Sequence, residues 1–171
     1  AWVERTVRQV VPRLGRSAGT AIAPARDGWV AVHDALCDED RRAHRRLAEE
    51  LSVRLGLVAV ALAVEEGEVV RMLLYERGRM VDEYLSVPAW DGPLPPGEQL
   101  ALAVNPTLVA RLTGAEAAAV RAVARTAATA AELPPAPALA AELAALLGLH
   151  QGAAGYAAGA AAAGATLVAH G

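Results

Sequence analysis

The chain has 171 residues with 16 Arg, no Lys and a formal charge of −3 at pH 7. This length suits one compact domain, and the slightly acidic balance gives no net attraction to nucleic acid or anionic lipid. The high Ala and Arg content is typical of GC-rich genomes, so we expect a bacterial origin. A single Cys37 and the absence of a signal-like N-terminus predict a cytoplasmic protein without an intrachain disulfide.

The first third of the chain predicts a helix, a hairpin and a second helix. Apolar residues at spacings of three and four predict an amphipathic helix over residues 2–14. The turn Asp27-Gly28 lies between two β-prone runs, TAIAPA and WVAVHDA, and predicts a β-hairpin. Pro24 predicts that the first of these strands is an edge strand. The acids after Leu36 and an apolar stripe then predict a helix that stops at Gly56.

The apolar period changes from 3.6 to two between Leu57 and Val87. Three β-prone runs, LVAVALAV, EVVRMLLY and RMVDEYLSV, are separated by Glu66-Gly67 and Arg77-Gly78. Two-residue turns at these positions predict a three-stranded antiparallel meander.

The predicted turns also assign side chains to the two faces of the meander. Because side chains alternate along a strand, they place Arg71, Asp82 and Tyr84 on one face and Glu83 on the other. Both faces are otherwise apolar, which is unusual for an antiparallel sheet in a two-layer domain. We therefore expect both faces to be covered, either by the chain's own helices or by a second copy.

The remainder of the chain predicts a rigid Pro-rich loop, VPAWDGPLPPGE, followed by short helices. One begins at Asn105-Pro106, where Asn caps the helix and Pro takes the first helical position. A second spans residues 115–127, and a third runs through Leu139 to Gly148. Residues 151–171 form a low-complexity Ala/Gly tail, too weakly apolar to predict a membrane span.

These elements predict a single α+β domain over residues 1–150, with a sheet core at 18–88, a helical part at 98–149 and a separate tail. The order helix, two strands, helix, three strands resembles profilin-like and roadblock-type folds. That resemblance implies one five-stranded, mainly antiparallel sheet with strand order 2-1-5-4-3, and it implies nothing about function. The stretches GWVAVHD and LYERGRMVDEYLSVP resemble bacterial proteins without carrying known chemistry.

A polar cluster on the meander is the main candidate for a ligand-binding site. Arg71, Asp82 and Tyr84 would supply a guanidinium, a carboxylate and a phenol on an apolar face. His33 would join them if the first hairpin lay beside the fifth strand. The alternative interpretation is an ion pair on a partly buried sheet, with Tyr84 supplying aromatic area, and we favour this alternative.

Two further groups carry chemistry-bearing residue types. His33-Asp34, Cys37, Asp38 and His44 match no recognised metal spacing, and helix capping explains the acids, so we predict no metal site. The Arg-rich run at 41–46 has acids four residues away, which typifies a solvated helix face and disfavours nucleic-acid binding. No phosphate-binding or nucleophile motif is present, so we predict neither a cofactor nor a catalytic residue.

The sequence favours a non-enzymatic module that binds another protein or self-associates as a homodimer, because 54% of its residues are hydrophobic and both meander faces are apolar. A small-molecule-binding protein or enzyme using Arg71, Asp82, Tyr84 and His33 is the alternative. A nucleic-acid adaptor using the Arg-rich helix is a third hypothesis. We expect no membrane partner.

Overall fold

The computed structural model describes all 171 residues and shows an α+β chain. Its six strands form two separate three-stranded antiparallel sheets. The strands are β1 (Thr20–Ile22), β2 (Val32–Asp34), β3 (Val58–Glu65), β4 (Val69–Glu76), β5 (Arg79–Leu85) and β6 (Thr166–Val168). The α-helices are α1 (Trp2–Leu14), α2 (Ala35–Glu39), α3 (Arg41–Leu55), α4 (Pro96–Ala101), α5 (Pro106–Thr113), α6 (Ala117–Val123), α7 (Ala136–Leu146) and α8 (Tyr156–Ala161).

The chain divides into two compact units. The first contains residues 1–59, 75–79 and 150–171, and the second contains residues 60–74 and 80–149. The predicted domain bounds stay a prediction. No α-helix has the length and apolar character needed to cross a bilayer.

The first unit is organised around the sheet β2-β1-β6. The predicted hairpin is present: β1 pairs antiparallel with β2, with Thr20 opposite Asp34 and Ala21 opposite His33. On its other side β1 pairs antiparallel with β6, which comes from the Ala/Gly tail. The core beside this sheet is formed by apolar residues of α1, α3 and the strands, namely Val7, Val10, Val11, Ile22, Leu47 and Val168.

The ends of the helix α3 show why it forms where it does. The Asp40 side chain accepts hydrogen bonds from the backbone N–H groups of Arg42 and Ala43, which satisfies donors that a helix start leaves unpaired. Gly56 ends the helix in the left-handed conformation with φ 65°, which costs glycine little. Asp40 also separates α3 from the short α2, so the predicted single helix is two.

The second unit contains most of the predicted meander, whose strand order is β3-β4-β5. A small apolar cluster of Val69, Leu85 and Val87 packs against Trp90, so the Pro-rich loop contributes an aromatic side chain to a core. Further along, Asn105 caps α5 through its side chain and Pro106 occupies the first turn, as predicted.

The prediction of one five-stranded sheet with order 2-1-5-4-3 is wrong. That order requires β1 to pair with β5, but β6 occupies the free edge of β1. The outer side of β5 is also bonded, because the Leu85 N–H donates to the Leu102 carbonyl at 3.0 Å. The edge assignment from Pro24 is wrong for the same reason: β1 is a central strand that ends at Ile22, before the proline.

The register of the meander also differs from the prediction. The predicted turn at Glu66-Gly67 is present, because both residues have positive φ, 52° and 72°, and the Glu68 N–H donates to the Glu65 carbonyl at 3.0 Å. Strand β4 begins only at Val69, however, so three residues lie between the two strands. At the far end the Arg77 N–H donates to the Leu57 carbonyl at 3.3 Å, a pairing that fits the three-residue connection. A shift of one residue exchanges the two faces, so the predicted face groupings do not hold across β3 and β4.

The chain itself covers both faces of the central strand β4. Val69 and Leu73 are 0% and 4% exposed, and their neighbours on the other face, Val70 and Leu74, are 0% and 1% exposed. For β4 a single chain is enough to cover both faces, whereas six of the eight β3 residues stay partly exposed.

Candidate functional site

Arg71 in β4 holds three carboxylates. Its Nε lies 2.5 Å from Glu65 Oε1, its Nη1 lies 3.0 Å from Glu83 Oε1, and its Nη2 lies 2.8 Å from Asp91 Oδ2. The Arg71 side chain is 11% exposed and that of Glu65 12%, whereas the Asp91 side chain is 52% exposed. We call these four residues the Arg71 cluster.

The carboxylates of the Arg71 cluster keep the Arg71 guanidinium protonated. Burial alone would lower the pKa of the guanidinium, but hydrogen bonds and charge from Glu65, together with Asp91, outweigh burial and raise that pKa. Arg71 is therefore a fixed cation, and the three carboxylates around it outnumber its single positive charge. A planar guanidinium with carboxylates on three sides is arranged to tie strands and a loop together.

Asp82 and Tyr84, the other predicted site residues on β5, form separate interactions. The Asp82 carboxylate accepts a hydrogen bond from the Asn105 N–H at 2.9 Å, and burial raises its pKa. The Tyr84 hydroxyl donates to the Arg125 carbonyl at 2.6 Å, and burial raises its pKa as well. Both side chains thus connect β5 to segments that follow it in the chain.

The structure pairs Arg71 with Glu83, which the prediction placed on the opposite face, rather than with Asp82. The physical reason is again register. The predicted two-residue turn at Arg77-Gly78 is present: β4 ends at Glu76, β5 begins at Arg79, and both turn residues have positive φ, 51° and 80°. An unbroken ladder from that turn would place Leu85 opposite Val70, but the Ser86 N–H bonds the Val70 carbonyl at 2.9 Å, so the register shifts by one residue along β5. The ligand-binding role assigned to Arg71, Asp82, Tyr84 and His33 stays a prediction.

His33, the fourth predicted residue, lies in β2 of the first unit. It is 7% exposed, and its buried Nε2 has no hydrogen-bond partner. Burial lowers the pKa of the imidazole, opposed by a hydrogen bond with the Ala154 backbone and by the charge of Asp38. The ring packs beneath Gly159 of α8, so it is part of the contact between the tail and the first sheet.

A buried polar network beside His33 was missed by sequence reasoning. The Thr20 hydroxyl donates to Asp34 Oδ2 at 2.5 Å and lies 2.7 Å from His170 Nε2. Asp34 Oδ1 accepts from the Ser17 hydroxyl at 2.9 Å and from the Leu36 N–H at 3.0 Å. Thr20 and Asp34 are partners in the predicted β1–β2 hairpin, but no local pattern relates residue 20 to residue 170, so the contact with His170 follows only from the pairing of β1 with β6.

Cys37 lies beside these residues in α2, and its environment disfavours the reactive form. Burial raises the pKa of the thiol to about 12, and Asp34, Asp38 and Asp40 add to the shift. The thiolate is the nucleophile and the metal ligand, so this cysteine is suited to packing. No group of three or more His, Cys, Asp or Glu side chains is placed to hold a metal ion.

The Arg-rich start of α3 carries its own counterions. Arg46 pairs with Glu49 and Glu50 at 3.1 Å each, and Arg54 pairs with Glu50 at 2.7 Å. The hydrogen bond from Arg54 lowers the pKa of Glu50. The Arg46–Glu50 pair has the predicted spacing of four residues, and Arg46 also reaches Glu49 three residues away.

Comparison with known proteins yields no relative: no protein-family model, curated protein or solved structure matches the chain.

Proposed function

We propose that this chain is a non-enzymatic protein-interaction module that self-associates through the outer edge of β3. This proposal is supported mainly by β3, an eight-residue edge strand with the sequence VAVALAVE and no charge or proline before Glu65. An edge strand presents a row of backbone N–H and C=O groups that can pair with another strand. Charges, prolines or short length normally prevent such pairing, and β3 has none of these before its last residue.

The opposite edge of the meander provides an internal comparison. Along β5, the Leu85 N–H bonds the Leu102 carbonyl, and the Asp82 carboxylate bonds the Asn105 N–H. The segment from Leu102 to Asn105 therefore covers this edge with the chain's own groups. Of the two edges, β3 is the one that favours a partner.

The ligand-binding alternative has weaker support. Arg71 is paired with three carboxylates, and the Tyr84 hydroxyl donates a hydrogen bond to a backbone carbonyl. A ligand that used these groups would first have to displace those interactions, which costs about 1–3 kcal/mol for each buried group left unsatisfied. Their geometry supports a structural role more than a binding role.

The oligomeric state tests the proposal. We expect light scattering after size-exclusion chromatography to give a mass that rises from 17.6 kDa toward twice that value as concentration increases. A constant monomer mass up to several hundred micromolar would overturn the proposal.

We also propose a reducing, cytoplasmic location, supported by the single, half-buried Cys37. Fractionation of cells that express the tagged chain tests this, and recovery in the secreted or membrane fraction would contradict it.

A further inference from the structure

Resting on the self-association proposed above, we infer that the partner is a second copy whose β3 pairs antiparallel with β3 of the first, with the two-fold axis at Ala61. The two meanders would then form one continuous six-stranded sheet. The strand direction in this arrangement follows from the charges at the ends of β3, and the register follows from which backbone groups face outward.

The direction of the backbone groups in β3 determines which residues can bond a partner. The carbonyls of Leu57 and Glu65 accept from Arg77 and Glu68, so both point toward β4 or its turn. Backbone groups alternate sides along a strand. The N–H and C=O groups at residues 58, 60, 62 and 64 therefore point toward the open edge.

A two-fold axis at Ala61 pairs these outward residues with one another. Val60 of one copy lies opposite Leu62 of the other, and Val58 lies opposite Val64, so each pair exchanges two backbone hydrogen bonds. The side chains in these pairs are apolar and mostly β-branched, which suits cross-strand packing. Six of the eight β3 residues remain partly exposed in the single chain, so there is surface left to bury.

The charges at the ends of β3 favour the antiparallel arrangement. One end carries Glu65, Glu66 and Glu68, and the other end lies beside the exposed Arg77. Antiparallel pairing places the acids of each copy about two strand spacings, roughly 10 Å, from Arg77 of the other. Parallel pairing would place the acidic ends side by side, which is repulsive.

A charge exchange between the two turns tests this arrangement. Glu66 and Arg77 both have positive φ, 52° and 51°, so exchanging them introduces matched backbone strain. We expect Glu66→Arg and Arg77→Glu each to weaken dimerisation roughly fivefold, because two symmetry-related attractions become repulsions. The double variant should return to within about twofold of the wild type.

Matched controls are available on exposed helix positions of the second unit. Arg121→Glu in α6 and Glu142→Arg in α7 make the same changes of charge away from β3. Sedimentation equilibrium should give unchanged dissociation constants for both controls. If they weaken the dimer as much as the turn variants do, net charge and not β3 pairing is responsible, and the inference fails.

A disulfide test addresses the register directly. With the axis at Ala61, Ala59 lies opposite Ala63 in a non-hydrogen-bonded pair, where Cα atoms are about 4.5 Å apart, within the range of a disulfide. In a Cys37→Ser background, Ala59→Cys/Ala63→Cys should give a covalent dimer under mild oxidation. Neither single variant should do so at the same rate.

The outcomes separate the two proposals. A wild type that is monomeric at every concentration overturns self-association and this inference together. A wild type that dimerises, with no response to the charge exchange and no cross-link between positions 59 and 63, overturns the β3 geometry alone.

Discussion

Gly159 in α8 lies so close to His33 in β2 that a β-carbon at position 159 would be 2.8 Å from Cγ of the imidazole and closer still to Cδ2. The helix can approach the strand at this distance only because glycine lacks a side chain. The tail therefore packs closely against the first sheet at Gly159.

Substitution of Gly159 should therefore destabilise the first unit. Alanine in a helix is normally better than glycine by up to about 1 kcal/mol, but overpacking against a buried ring costs about 1–3 kcal/mol. We expect Gly159→Ala to lower the free energy of unfolding by about 1 kcal/mol or more in urea denaturation. The matched control is Gly97→Ala in α4, where nothing lies within 4 Å of the added carbon. Equal stabilisation of both variants would contradict the close contact.

Arg71 should be the most sensitive charged residue of the second unit. Arg71→Met would leave Glu65 and Glu83, which are 12% and 19% exposed, facing one another without a cation. Removing one partner of a fully buried pair costs about 3–5 kcal/mol, and water at Asp91 should reduce this to about 2–3 kcal/mol. Guanidinium denaturation of Arg71→Met, with the exposed Arg121→Met as control, measures the difference. A loss below about 0.5 kcal/mol would show that the cluster behaves as an ordinary surface ion pair.

The charge of Asp82 should destabilise the fold at neutral pH, whereas the charge of Arg71 stabilises it. Burial raises the pKa of this carboxyl in the folded chain above its usual value of 3.8, so the folded state binds the proton more tightly than the unfolded state. Its contribution to stability is greatest below the unfolded pKa and is lost as pH rises through the folded pKa.

Asp82→Asn tests that sign, because the amide oxygen can still accept from the Asn105 N–H. We expect the variant to be more stable than the wild type at pH 7 and equal to it near pH 3. Glu83→Gln, which weakens a partner of Arg71, should instead be destabilising at pH 7. A lower stability of Asp82→Asn at pH 7 would contradict the direction of the shift.

Local sequence signals predicted individual elements well where the type of one or two residues determines the backbone conformation. Asp27 and Gly28 both have positive φ, 49° and 83°, as the predicted hairpin turn requires. Asn105 and Pro106 similarly mark the start of α5. In each case the conformation depends on neighbours within four residues, and such neighbours are visible in the sequence.

Pairing between distant segments could not be predicted in the same way. Whether β4 begins directly after the Glu66-Gly67 turn or one residue later cannot be decided from that stretch alone, and this single residue determines whether Glu65 shares a face with Arg71. The strand β6 is only three residues long, Thr-Leu-Val, at the end of an Ala/Gly-rich run, so its two β-branched residues are too short a pattern to predict a strand without the pairing to β1. Both features depend on contacts between distant segments. The observed partners of Arg71 therefore differ from the predicted ones, whereas most of the local elements agree with the prediction.

His170 should hold β6 against β1. Its Nε2 lies 2.7 Å from the Thr20 hydroxyl, which itself donates to Asp34, and its side chain is 4% exposed. His170→Ala would remove one buried hydrogen bond, at a cost of about 1–2 kcal/mol, and would leave Thr20 bonded to Asp34. Hydrogen exchange should then be faster at residues 166–168 while the meander amides are unchanged, since local opening does not require global unfolding.

The control for His170 is His150, which lies directly before the tail and also pairs with an acid. His150 lies 2.5 Å from Asp27, but the two side chains are 38% and 71% exposed, so His150→Ala should cost less than about 1 kcal/mol. If His150→Ala accelerates exchange in β6 as much as His170→Ala does, the buried network is not what holds the strand. If neither does, backbone pairing with β1 and the burial of Val168, which is 1% exposed, suffice to hold it.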